Sequence, residues 1–170
     1  MKKITALSIL CASIVPFAAH AEEHSEGHAE NYVGVSVSKL TAAPRSNGVA
    51  VMLGRRYSEH LAAEVAYSDS SALSSVPEKT TALSVAVVGI LPINADFEAY
   101  GRLGYASAHS KEAAGFTANH GDITYGVGVE YRLNAKYSLG FGWDHLRVGG
   151  TPEIPRANEN AYALTVARSF

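Results

Sequence analysis

The chain has 170 residues, with 14 basic and 16 acidic side chains, seven histidines and one cysteine. That length is one domain. The near balance of charge, with no basic cluster, leaves nothing for nucleic acid to bind.

The N-terminus is read first. Met1-Lys2-Lys3 is a short basic start and residues 4–18 are apolar. Ala19 and Ala21 are small residues at the two positions a signal peptidase reads. Residues 1–21 are therefore expected to be a signal peptide, cut before Glu22. The apolar run is short for a membrane-anchoring helix. Lipid attachment at Cys11 fails because Leu10 stands where a small residue is needed. Cleavage removes Cys11, so the mature part, about 149 residues, holds no disulfide, thiolate metal site or thiol nucleophile. Its 12 basic residues face 16 acidic ones, a net charge of −4. Residues 22–30 form a polar lead-in. His24 and His28 there, with Glu22, Glu23, Glu26 and Glu30, are competent ligands for a divalent metal, but the composition is that of a solvated tail and no metal or other cofactor is expected.

From residue 31 onward the pattern has a period of two. In residues 32–40, Val33, Val35 and Val37 alternate with Gly34, Ser36 and Ser38, which marks a strand with unlike faces. Residues 41–48, with Pro44, Asn47 and Gly48, break it. A second strand is expected over 49–57, a tight turn over 57–60 and a third strand over 61–68. A polar loop over 69–79 leads to a fourth strand, 80–91. The turn 92–95 leads to a fifth, 96–108. Residues 109–121 are again long and polar, followed by a sixth strand, 122–133, and the turn 134–136. A seventh strand covers 137–148, a loop with Pro152 and Pro155 covers 149–159, and an eighth strand covers 160–170. The longest apolar run, residues 82–93, is too short for a membrane helix and ample for a tilted spanning strand of roughly 9–11 residues.

The eight strands are joined by connections that alternate long and short. An even-stranded, up-and-down antiparallel barrel sorts its connections in this way. In an outer-membrane barrel the short turns are periplasmic and the long loops extracellular, whereas a soluble sandwich has no reason to sort them. The expected fold is thus all-β, an eight-stranded transmembrane barrel over residues 31–170. Lipid would meet Val33, Val35, Val37, Val51, Leu53, Ala63, Val65, Leu83, Val85, Val87, Leu103, Val127, Val129, Leu139, Phe141, Leu164 and Val166. The other face carries Gly34, Ser36, Gly54, Glu64, Ser84, Arg102, Gly104, Gly126, Gly128, Glu130, Gly140, Gly142, Thr165 and Ala167, small enough for an interior that side chains just fill. Aromatics gather at both ends of the outer face: Tyr57, Phe97, Tyr131, Tyr137 and Phe170 by the short turns, and Tyr67, Tyr105, Trp143 and Tyr162 by the long loops. Two such belts suit two headgroup layers.

Tyr32-Val33-Gly34, the segment from Leu61 through Glu64 to Tyr67, Tyr100-Gly101-Arg102-Leu103-Gly104 and Gly128-Val129-Glu130-Tyr131 resemble the transmembrane domain of the outer-membrane protein A (OmpA) family and related small surface-antigen barrels. The resemblance covers nearly the whole mature chain. It implies a bacterial outer-membrane location, contact with outer-membrane lipid and lipopolysaccharide, and insertion by the barrel-assembly machinery. Phe170, with Tyr162, Leu164 and Val166 at alternate positions before it, looks like the C-terminal signal that this machinery reads. Arg168 departs from the apolar residue usual at its position. The peptidoglycan-binding domain of longer members is not expected after Phe170, so cell-wall tethering is not implied. The resemblance also implies an ionic cluster inside the barrel, with Glu64, Arg102 and Glu130 at its acidic and arginine positions. The lysine implied on the fourth strand falls among Val87 and Val88, and the arginine implied on the seventh falls near Gly140. Arg56 and Asp144 have inward parity and would complete a different cluster. Buried charges must pair or hold water.

Three functions remain open: a structural or surface-interaction role with binding on the long loops, a narrow ion channel gated by the interior cluster, and a lipid-modifying hydrolase. The first is favoured, with the protein a monomer and its loops facing an extracellular ligand. A hydrolase needs a nucleophile and base within reach of each other. His109 and Ser110 are adjacent and leave opposite faces of a strand, and His145 has lipid-facing parity. No enzyme activity is expected.

Overall fold

The structure, a computed structural model, describes residues 30–41, 47–69, 79–111, 117–148 and 157–170. They form eight strands: β1 (Glu30–Leu40), β2 (Asn47–Ser58), β3 (Leu61–Asp69), β4 (Lys79–Pro92), β5 (Phe97–Lys111), β6 (Thr117–Arg132), β7 (Tyr137–Val148) and β8 (Ala157–Ser169). Each strand pairs antiparallel with the next, and β8 pairs with β1 to close the barrel. Closure leaves no sheet edge, which a strand in lipid cannot tolerate because its free N–H and C=O groups would find no water.

The short turns are built by side chains that accept from the backbone. Asn94 Oδ1 receives the N–H groups of Asp96 and Phe97, both at 2.9 Å. Asn134 Oδ1 receives those of Lys136 at 2.8 Å and Tyr137 at 3.0 Å. An asparagine that bonds the backbone two and three residues on replaces the hydrogen bonds a reversing chain loses. Two of the three short turns thus share one construction.

At the other end the expected boundaries need correction. Residues 109–121 read as a loop because they are polar, yet β5 and β6 continue in register to Lys111↔Thr117. β8 begins at Ala157, inside the stretch 149–159 that reads as a loop, and pairs there with Val148. Ladder hydrogen bonds come from the backbone, so a polar hairpin pairs as well as an apolar one once the strands below it are aligned. The tips at 42–46, 70–78, 112–116 and 149–156, like the signal and lead-in through residue 29, lie outside the described residues.

The two faces differ as the alternation demands. Leu103 is 62% exposed, Val87 57% and Phe141 54%, while Glu98 is 3% exposed. A water-soluble fold would reverse these values. No helix among the described residues is long and apolar enough to cross a membrane; the strands provide the apolar wall.

Candidate functional site

Among the described residues, charge is concentrated and shielded in the barrel interior. Two clusters of ion pairs stand there at different heights. Near the short turns, Arg56 grips Glu98 with both guanidinium nitrogens, Nη1 to Oε1 at 3.1 Å and Nη2 to Oε2 at 2.6 Å. Arg132 donates to the same carboxylate from β6. Glu98 is thus a buried anion clamped by two cations, in the bidentate geometry that guanidinium favours.

Further up, one cation serves two anions. Arg102 Nη2 lies 3.2 Å from Glu64 Oε2, and its Nη1 lies 3.5 Å from Asp144 Oδ1. Tyr32 donates its hydroxyl to Glu64 Oε1 at 2.7 Å. The guanidinium also sits over the Tyr100 ring, 5.2 Å from its centroid, within cation–π reach. Arg102 Nε is buried without a hydrogen-bond partner. Glu130 faces Glu98 across the β5–β6 ladder and lines the lower cavity with Ser138. Among the described residues it makes no ion pair.

Glycines make room for these side chains. Gly54 lies opposite Tyr32 on the β1–β2 ladder, and a Cβ there would strike the tyrosine ring. Gly128 and Gly142 flank Tyr100 in the same way. A narrow barrel can hold two inward rings only where its facing strands carry no side chain.

The five interior residues expected from sequence, Arg56, Glu64, Arg102, Glu130 and Asp144, all line the lumen. They fall into two groups rather than one cluster, with Glu64, Arg102 and Asp144 in one and Arg56 in the other. Val88 and Gly140 occupy the inward positions where the resemblance implies cations. Arg56 and Arg132 supply positive charge from β2 and β6 instead. Four members of the network are absent from the sequence-derived set: Tyr32, Glu98, Tyr100 and Arg132. Parity alone would have found them, since Glu98 and Tyr100 share the face of Arg102, and Arg132 that of Glu130.

The lumen is interrupted rather than open. A cavity of about 160 Å³ lies above the Arg102 layer and one of about 50 Å³ lies below it, with Glu64, Tyr100 and Arg102 lining both. Tyr162, Leu164 and Val166 line up on the outer face of β8, and Phe170 follows the strand's last residue, exposed. His109 bonds Asn119 and His145 bonds Asn160 at 2.9 Å. No group of three metal-ligating side chains occurs among the described residues; His24 and His28 lie outside them.

Residues 5–170 match the outer membrane protein beta-barrel domain. No curated protein matches the sequence. Among solved structures, the N-terminal β-barrel domain of Pseudomonas aeruginosa OprF matches with a TM-score of 0.64 at 12% identity, over 84% of this chain and 100% of that one. Neisserial surface protein A matches at 0.61 and 16% identity, over 84% and 97%. Ail of Yersinia pestis, solved with the heparin analogue sucrose octasulfate, matches at 0.55 and 14%, over 86% and 100%. The outer-membrane enzyme PagL shares the fold at 0.52 and 14%, over 80% and 97%.

Proposed function

Because the chain belongs to the outer-membrane protein β-barrel family, a family of the bacterial outer membrane, we propose that it serves there as a closed scaffold whose binding surface is its long-loop end. The interrupted lumen carries this reading. Three guanidiniums, four carboxylates and two tyrosine rings fill the interior, so the barrel has little space to pass solute and every reason to be rigid. A rigid barrel with variable loops is a platform for recognition. In this reading the short turns, Glu30 and Phe170 lie on the periplasmic side, and the strand ends that lead into 42–46, 70–78, 112–116 and 149–156 lie on the outer side. The sulfated ligand of Ail is consistent with such a use of this fold. In this reading the role is non-catalytic, and His145 is stacked on Tyr125 and bonded to Asn160 on the outer wall.

Deleting the four loop tips one at a time tests the reading. At least one deletion should abolish surface binding by whole cells while the barrel stays folded in the outer membrane. Full binding by all four variants would overturn it. The signal peptide is tested by the mass of the mature protein, which should begin at Glu22.

One observation favours a second reading, a gated ion path. Arg102 is shared between two carboxylates, at 3.2 and 3.5 Å, and a shared cation can shift from one to the other. Lipid modification is the third reading. An unchanged lipid A profile in cells with and without the protein removes it.

A further inference from the structure

The interior is not packed evenly along its length. Below Arg102 it is filled by arginine, glutamate and tyrosine side chains. Above Arg102 the inward positions are small on strand after strand: Ser36 on β1, Ala50 on β2, Ala66 on β3, Ser84 on β4, Ala106 on β5 and Ala163 on β8. An eight-stranded barrel is just wide enough for side chains to fill, so small residues on this many strands leave a gap. The gap is the cavity of about 160 Å³. It is a well. Glu64, Tyr100, Arg102 and Asp144 form its floor, and its lining reaches Leu40 and Asp69, where β1 and β3 end on the long-loop side. At ~30 Å³ per water, it has the volume of about five waters, or of a ligand with about five heavy atoms.

Formal charge is divided unevenly as well. In the lower group Arg56 and Arg132 balance Glu98 and Glu130. In the upper group Arg102 is the one cation among the described residues that line the well, and it faces both Glu64 and Asp144. Asp69, at the rim, adds no positive charge and has a partner of its own. One negative charge is therefore left over at the floor. The two carboxylates do not share it equally. Glu64 is met by Arg102 at 3.2 Å and by the Tyr32 hydroxyl at 2.7 Å, and its side chain is 8% exposed. Among the described residues Asp144 has the 3.5 Å contact with Arg102 alone, and its side chain is 23% exposed. Asp144 is thus the carboxylate with room for another donor. A charge at this depth is stabilised by gaining one.

The walls select the kind of cation. Hard metal ions gather about six oxygen ligands. The walls above Asp144 are largely alanine methyls, and no group of three metal-ligating side chains occurs among the described residues. An apolar wall around one carboxylate suits a hydrocarbon body that carries its own charge. We infer that the well is a binding site for a small organic ammonium, a primary amine on a chain of about four carbons. Its charged end meets Asp144, and its chain lies against Ala50, Ala66 and Ala163. Arg102 keeps its place between the two carboxylates and closes the floor, so the ligand enters and leaves by the long-loop end. The site is independent of the loop-binding reading. Deleting a loop tip leaves Asp144 in place, and a change at Asp144 leaves the loops in place.

Methyl NMR of the alanine-labelled protein in maltoside micelles tests the site, with n-butylammonium, butyrate and potassium as probes. n-Butylammonium should shift the Ala50, Ala66 and Ala163 methyls along one saturable curve. It should leave Ala63 and Ala99, on the outer wall beside Val87 and Val129, unmoved. Butyrate and potassium at the same concentration should shift none of them. Asp144→Asn keeps the shape of the side chain and should weaken binding about tenfold, the scale of one lost charge-assisted contact. Ala163→Leu fills the well without altering its charge and should abolish binding, whereas Leu164→Ala, on the outer face of the same strand, should change nothing. Ala163→Leu keeps the test open if Asp144→Asn fails to fold. Equal shifts with potassium would overturn the organic ligand, and equal shifts with butyrate would overturn recognition by charge. Movement of Ala63 and Ala99 alone, full affinity in Asp144→Asn, or no shift at all would overturn the site.

Discussion

The two interior clusters are built from the same chemistry with opposite stoichiometry. Near the short turns one carboxylate, Glu98, is held by Arg56 and Arg132. Higher up one guanidinium, Arg102, is held by Glu64 and Asp144. The lower cluster is short and bidentate, and the upper one is longer and leaves Arg102 Nε without a partner. The difference matters because a carboxylate can shed its charge by taking up a proton, whereas a guanidinium has no such escape. The lower cluster is therefore the structural lock and the upper one the adjustable layer.

Removing the hub of each cluster measures that contrast. Glu98→Ala removes the carboxylate that bridges Arg56 and Arg132, and should cost about 3–5 kcal/mol in reversible unfolding from detergent or bilayer. Arg102→Ala leaves two carboxylates that can take up protons, one of them still bonded by Tyr32, and should cost less, about 2–3 kcal/mol. A larger loss for Arg102→Ala would reverse the assignment of lock and adjustable layer.

Crowding gives a smaller effect. Gly142→Ala drives a methyl group into the Tyr100 hydroxyl and should cost about 1–3 kcal/mol, most of it recovered in a Gly142→Ala, Tyr100→Phe double variant. Additive losses would mean that the glycine is not there for the hydroxyl. The smallest change is expected at the rim. Arg132 has a 45% exposed side chain against 15% for Arg56. Arg132→Ala should therefore cost less than about 1 kcal/mol, well below Arg56→Ala in the same assay.

These residues also show where the sequence is informative. β7 spans Tyr137–Val148, as the alternation and the Asn134 turn predict, and Leu139 and Phe141 are exposed on its outer face as their parity requires. Parity along one strand is a local property, so it is legible. Which charges meet is not local. Arg56 on β2 reaches Glu98 on β5 across the lumen, and that encounter depends on the stagger of strands that are not neighbours. Sequence patterning puts both side chains inside without saying that they stand at one height. The polar ends of β5 and β6 were illegible for a different reason. Their pairing is inherited from the apolar rungs below, and their composition reads as loop.

Planar-bilayer conductance of the purified protein addresses the closed lumen most directly. A barrel locked by Glu98 and filled at Arg102 should leave the membrane silent, with current steps emerging only in Arg102→Ala. Sustained current steps from the unaltered protein, changed in size by Glu64→Gln, would contradict the scaffold reading and establish the gated path in its place.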